Sequence, residues 1–267
     1  MIDAHVHLWR LGQNDCTWPT AQDAAIHRDV ELAELVALLD ANGVDRAVLV
    51  QSQESPRDTD WLLGIARGSE RIAGVVGWAD PSDAASVAAR GADPLLVGLR
   101  PMVQGREADW YDDPALDAGF AAMAAQGLVL DALIRPRHLP ALARLAARHP
   151  ALAIVIDHAA KPEGTGGLAA WRAAIAPLAG CDQVHVKLSG LLNEVPARDI
   201  PETVAHLLAL FGAERLLWGS DWPVLTLAGS YAGWLGMARD LIPAPDQAAV
   251  FHRNAARVYG LREGAHG

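Results

Sequence analysis

The opening stretch MIDAHVHLW (1–9) places Asp3, His5 and His7 at alternate positions, with Ala4, Val6 and Leu8 between them. In an extended strand neighbouring side chains point to opposite faces, so the three polar groups are expected on one face and the apolar ones on the other. Burying imidazoles and a carboxylate is costly unless each finds a partner. The polar face must therefore look into a site that binds metal, water or substrate.

Working outward, short β-branched runs recur at intervals that leave room for one helix each: 45–51, 71–79, 95–100, 128–134, 152–158, 183–190 and 215–221. With the opening strand these make eight. The spacers 30–43, 138–150 and 200–212 show apolar residues at helical spacing and end on Gly or Pro punctuation. No composition break or linker interrupts the alternation. The expectation is one domain over 1–267, an α/β TIM (β/α)8 barrel with room for distortion. A doubly wound open sheet is the competing architecture, but no glycine-rich phosphate fingerprint follows the first strand. The tail from Leu261 to Gly267 is expected to fray.

Composition narrows the function classes. The net charge of −10 argues against a nucleic-acid surface, which needs clustered Lys and Arg. Two isolated cysteines, Cys16 and Cys181, build neither a disulfide framework nor a thiolate zinc site, and suggest a reducing, cytoplasmic compartment. No stretch has the pattern of a secretion signal or is long enough to span a bilayer. A small molecule is the expected partner. Nothing in the sequence speaks to oligomeric state.

Barrel chemistry sits at the C-terminal ends of the strands. There the sequence places His5 and His7, Gln51 and Gln53, Arg100, Asp157 and His158, and Asp221 within WGSDWP. Two imidazoles two residues apart suit a metal chelate or a pair that polarises a carbonyl. Asp221 precedes Trp222-Pro223, which keeps its carboxylate at the barrel mouth rather than in a helix cap. Lys161 lies in a loop within reach of the mouth. In 183–190, His185, Lys187 and Ser189 form a polar face that should point into the barrel. His185 reads as a satisfied interior histidine, and Asp3 as a group holding a neighbour in place from the layer beneath. The histidines His27, His138, His149, His206, His252 and His266 read as structural or surface residues.

The chain has nine Trp against three Phe and three Tyr, and Trp9, Trp18, Trp78, Trp110 and Trp222 fall at loops or strand ends on the catalytic side. Trp joins a flat apolar face to an N–H donor, which suits a ring with C–H faces and hydroxyl edges; the plainer reading is that Trp plugs the barrel mouth. The long segments 10–29 and 101–114 are candidate specificity loops.

Taken in order, IDAHVHLW, VGLR, DHAAKP, KLSG and WGSDWP resemble the lactonase branch of the amidohydrolase superfamily, of the amidohydrolase 2 type. Members of that branch hydrolyse lactones of sugar acids such as L-fuconate, L-rhamnonate or galactonate, or a pyrone dicarboxylate lactone; a sister branch decarboxylates aromatic acids. The resemblance implies that His5, His7 and His158 surround a lactone carbonyl, that Asp221 handles the water and that Arg100 holds substrate. Gln51, Lys161, Trp222 and Trp18 complete the expected substrate-binding set. The strand at 128–134 departs from many superfamily members: it offers Asp131 and no Lys or His, which disfavours a binuclear centre. One divalent ion, zinc, held by His5, His7 and Asp221 is left open, with Asp131 able to add an oxygen ligand. Some members of the branch work without metal, through the histidine cluster alone. The missing strand-five His also counts against a metal-dependent decarboxylase. A pyrone dicarboxylate lactonase needs several cations for two carboxylates, and beyond Arg100 only Arg135 and Arg137 follow a strand end to help, which ranks it third. A catalytically silent binding barrel would have lost the base or the His pair, and neither is lost.

Overall fold

The computed structural model describes residues 1–162 and 168–262. Eight parallel strands are hydrogen-bonded in sequence order: β1 Ile2–Val6, β2 Arg46–Val50, β3 Ile72–Gly77, β4 Leu96–Leu99, β5 Val129–Ala132, β6 Ile154–Ile156, β7 Val184–Leu188 and β8 Leu216–Trp218. The helices α1 Leu32–Asn42, α2 Pro56–Arg67, α3 Ala84–Arg90, α4 Asp117–Gln126, α5 Leu139–Arg148, α6 Leu168–Ile175, α7 Leu191–Glu194, α8 Ile200–Phe211, α9 Tyr231–Leu241 and α10 Asn254–Val258 intervene or follow. This is a TIM barrel.

Its closure is irregular. The chain just past β8 meets β1 through a single parallel bridge, Val6 to Trp222, with Asp221 N donating to His5 O at 2.8 Å and His7 N donating to Trp222 O at 2.8 Å. That seam brings Asp221 beside both histidines.

Local signals explain the element ends. Ser55 caps α2 by accepting from Arg57 N and Asp58 N, with Pro56 at the first helical position. Gly43 ends α1 in the left-handed conformation that a side chain disfavours, φ 65°.

Two apolar layers flank the strands. Val6, Leu49, Leu130, Ile156, Val186 and Trp218 pack outward against the helices. Ile2, Ala4, Val48, Val50, Val76, Val97, Val129, Val155 and Leu217 pack with Tyr259 and Leu261. They fill the barrel below the mouth. Leu261 is buried in this layer, so the expected fraying does not begin there; residues 263–267, with His266, lie outside the described residues.

One expectation is overturned in β1. Pairing runs Asp3 to Ala47 and then Val6 to Leu49, three residues against two, so β1 carries one extra residue. Such a bulge switches the alternation of side chains. Ala4 therefore joins the interior layer, His5 and His7 reach the interior mouth, and Asp3 sits on the opposite side, accepting from Tyr231 OH of α9 at 2.9 Å. Asp3, His5 and His7 do not share one face.

Candidate active site

His5 is fully buried, and His7, His158 and Asp221 nearly so. His5 Nε2 and His7 Nε2 lie 3.1 Å apart. Asp221 Oδ1 is 3.3 Å from His7 Nε2, 3.6 Å from His5 Nε2 and 3.9 Å from His158 Nε2. The outer nitrogen of each ring is held in turn. His7 Nδ1 donates to Val50 O at 2.7 Å, which leaves the Nε2 lone pair facing the cluster when the ring is neutral. His158 Nδ1 meets Ser189 Oγ at 2.9 Å, and His5 Nδ1 lies 3.2 Å from Lys187 Nζ and 3.4 Å from Asp157 Oδ1.

Backbone geometry aims these groups. Asp221 has φ 62°, and His158, Ala159, Ala160 and Lys161 form a run of positive φ between 52° and 61°. Non-glycine residues adopt this region at a cost of order 1 kcal/mol each, so surrounding contacts must hold them there. Two such contacts are Trp171 Nε1 donating to Ala159 O at 2.7 Å and Lys161 N donating to His158 O at 2.8 Å. The turn sends both His158 and Lys161 to the cavity. Gly190 makes room for the imidazole: a Cβ there would meet His158 Nδ1 at 2.6 Å.

Asp3 serves this geometry from outside the barrel. Its Oδ1 accepts from Ser220 N at 2.8 Å and from His5 N at 3.1 Å, tying β1 to the residue before Asp221. Burial pushes the Asp3 carboxyl up to about 6, against the lowering effect of these hydrogen bonds.

Below the mouth lies a buried charge network. Lys187 donates to Asp131 Oδ2 and lies 3.0 Å from Asp157 Oδ1. Tyr259 OH donates to Asp131 Oδ1 at 2.8 Å. Arg100 Nη1 is 3.5 Å from Asp157 Oδ2 and 3.5 Å from His5 Nε2, and Nη2 donates to Gln51 O.

Burial drives His5 well below the usual imidazole range and lowers His158 too, the nearby carboxylates only partly compensating. For Asp221 burial acts upward, but His158, His7 and His5 outweigh it and hold the carboxyl well below the usual range. Burial thus biases His5 and His158 toward the neutral form while Asp221 stays ionised, leaving a carboxylate able to accept a proton from water.

The donor set fits a metal ion. His5 Nε2, His7 Nε2 and Asp221 Oδ1 form a triangle with edges of 3.1, 3.3 and 3.6 Å. Ligand atoms about 2.05 Å from a tetrahedral zinc lie about 3.3 Å apart. His5, Asp157 and His158 form a second group of close ligand atoms, but there the Lys187 ammonium already supplies a cation beside Asp157.

A cavity of ≈ 220 Å³ opens above the cluster, lined at its floor by His7, Arg100, His158 and Asp221 and on its walls by Trp18, Gln104, Lys161 and Glu194 among others. Of the expected substrate-binding set, Arg100, Lys161 and Trp18 line it. Gln51 and Trp222 do not. Gln51 is buried behind Arg100, donating to its carbonyl at 2.7 Å, so it positions the arginine. Trp222 packs into the core and contributes its backbone to the seam with β1. Asp131 is likewise no ligand: it is engaged by Lys187 and Tyr259 and belongs to neither metal-binding group. Among the five tryptophans noted in the sequence, only Trp18 reaches this wall.

Both long loops contribute, through Trp18 and through Met102 and Gln104. Gln53 anchors the first, donating to Trp18 O at 2.7 Å. Asp157, Lys187 and Ser189 lie beside the cluster, as expected from their place at a strand end and on the polar face of 183–190, whereas Glu194 was not anticipated. Nothing in its sequence context, LLNEVP, marks Glu194 as a site residue.

The chain belongs to the amidohydrolase family, whose model matches residues 2–261. It is 44% identical to an L-fucono-1,5-lactonase of Burkholderia ambifaria, over 97% of this chain and 95% of the relative. A second L-fucono-1,5-lactonase, from Burkholderia multivorans, is 36% identical over 99% of this chain and 97% of its own length. Among solved structures, a Burkholderia multivorans amidohydrolase with bound zinc superposes with TM-score 0.91 at 35% identity, covering 98% of this chain and 99% of that one. The described residues contain no helix long and apolar enough to cross a membrane.

Proposed function

We propose that this enzyme opens a small sugar-acid lactone, of the kind its L-fucono-1,5-lactonase relatives are named for, by attack of water on the ring carbonyl. The observation that supports it most is the convergence of Asp221 with His5, His7 and His158 beneath a cavity of ≈ 220 Å³.

Asp221 takes a proton from water as the oxygen adds to the lactone carbonyl. Arg100 and imidazole N–H groups stabilise the charge that develops on the carbonyl oxygen. As the tetrahedral intermediate collapses, the bond to the ring oxygen breaks and Asp221 returns its proton there. One carboxylate thus serves both half-reactions, and the product is the open hydroxy acid. Arg100, Lys161 and Trp18 contact the substrate, while Gln51 and Trp222 hold the wall from behind. His5, His7 and Asp221 would hold one divalent ion, zinc by the character of its donors, which when bound supplies Lewis acidity and a more acidic water. The two cysteines, Cys16 and Cys181, are free, which fits a cytoplasmic enzyme.

The alternatives have less support. A pyrone dicarboxylate would need cations for two carboxylates, whereas the wall offers Arg100 and a Lys161 already paired with Glu194 at 2.7 Å.

Lactone opening followed with a pH indicator tests the reading, using five- and six-membered sugar lactones and metal-stripped protein with and without zinc. Turnover confined to one stereochemical family is expected. No turnover of any lactone in either form would sink the proposal.

A further inference from the structure

The geometry points to Glu194, paired with Lys161, as the element that reads ring hydroxyls and makes the cavity select an uncharged polyhydroxylated lactone over one bearing its own carboxylate. This rests on the lactone reading above and adds its specificity determinant.

The argument begins with the wall's balance of donors and acceptors. Among the described residues, the cavity is lined by two permanent cations, Arg100 and Lys161, and two carboxylates, Asp221 and Glu194. Asp221 belongs to the cluster at the floor, with Arg100 anchored beside it. Lys161 and Glu194 remain on the wall, joined at 2.7 Å and both partly accessible, with side-chain exposures of 14% and 24%. A cation neutralised by an adjacent carboxylate makes a poor anchor for an anion, and the carboxylate repels one directly. The same pair suits neighbouring hydroxyls: the carboxylate accepts from them and the ammonium donates to their oxygens.

A second observation agrees. Gln104 also lines the cavity and adds a side-chain amide to this wall. Asn193, beside Glu194, donates its amide to Val224 O at 3.2 Å, which leaves its amide oxygen as a further acceptor. The wall is thus rich in acceptors and matches a ligand rich in O–H donors.

Both partners sit at defined points of the fold. Lys161 ends the left-handed run that begins at His158, and Glu194 closes α7, the short helix that follows Gly190. The arm that reads hydroxyls is therefore coupled to the residues that place His158. A ligand gripped there has its carbonyl set against the cluster.

The test compares wild type, E194Q and K161M on paired substrates: a 2,3,4-trihydroxylated δ-lactone, δ-valerolactone without ring hydroxyls, and a δ-lactone bearing a ring carboxylate. E194Q preserves size and one acceptor, so folding survives. The expected result is that the wild-type preference in kcat/KM for the trihydroxylated over the plain ring falls by about tenfold or more in E194Q, chiefly through KM. The carboxylate-bearing ring should improve relative to its neutral counterpart. An unchanged preference in E194Q, or no relative gain for the anionic ring, overturns the inference. Calorimetric binding of the corresponding non-hydrolysable lactams, trihydroxylated δ-lactam and δ-valerolactam, separates this failure from failure of the reaction itself. Tighter binding of the hydroxylated lactam that E194Q abolishes would uphold the subsite even if no lactone were turned over. Equal binding of the two lactams by wild type would overturn the subsite even if lactones were opened.

Discussion

Lys187 Nζ lies 3.0 Å from Asp157 Oδ1 at the centre of the barrel, where neither side chain has any solvent exposure. The same ammonium also binds Asp131 and approaches His5 Nδ1 at 3.2 Å. It is the fixed positive charge under the catalytic mouth. Removing one partner of a buried ion pair leaves a charge without compensation, at a cost of about 3–5 kcal/mol. Lys187→Met should lower the denaturant midpoint accordingly, and adding Asp131→Asn should restore part of the loss. A Lys187→Met midpoint equal to wild type would show that the network contributes little.

Asp221→Asn keeps the shape of the side chain and removes the base. Turnover of the best lactone should fall by about 10²–10⁴-fold. The thermal midpoint should fall little, because Asp221 N still bonds to His5 O at 2.8 Å. Retained activity would assign the water proton to another group.

Gly190 has φ 64°, and an added Cβ would press on His158 at 2.6 Å. Gly190→Ala therefore combines backbone strain of order 1 kcal/mol with displacement of the imidazole. The expected outcome is a fall in kcat well beyond what the stability loss accounts for, read by comparing kinetics with calorimetry. A change in stability alone would mean that His158 tolerates the shift.

His185 is buried, and that burial, with help from Arg257 and Arg215, lowers its imidazole from 6.5 to about 4. The unfolded chain binds a proton on this residue more readily than the folded one between those values, so stability rises with pH across the window. The contribution is fully present above about pH 6.5 and is lost as pH falls toward 4. It is worth on the order of 3 kcal/mol at most. His185→Gln should flatten the wild-type slope of unfolding free energy between pH 4 and 6.5. An unchanged slope would place the acid sensitivity elsewhere.

An ion held by His5, His7 and Asp221 binds the folded state and raises its melting point in proportion to occupancy. Zinc added to stripped wild type should shift the midpoint upward by several degrees, and His7→Gln should abolish the shift. Equal shifts in both proteins would place the zinc at another site.

Sequence and structure agree where the information is local. The spacers around 30–43, 138–150 and 200–212 fold as α1, α5 and α8 because helical periodicity and Gly or Pro stops act within a few residues. The strand ends likewise announced His5, His7, Arg100, His158 and Asp221, since a parallel barrel puts those ends at one mouth. Asp3 shows the limit of such reading. Strict alternation puts it with His5 and His7, but the extra residue between Asp3 and Val6 turns it to the outer face, where it steadies Ser220. A bulge depends on the partner strand's register, which the strand's own sequence does not record.

By itself, then, the sequence determined the eightfold strand and helix alternation and the residue types at the mouth, because both follow from local periodicity and strand direction. Only the tertiary structure decided which of those groups meet. Asp131 lies in β5, Asp157 just past the end of β6 and Lys187 in β7, and the register among these strands commits Asp131 to the ammonium rather than to a metal. Glu194 reaches the cavity because the turn after β6 and the helix after β7 converge there. Such distances come from closing the barrel, which couples residues far apart in the chain to within hydrogen-bonding reach.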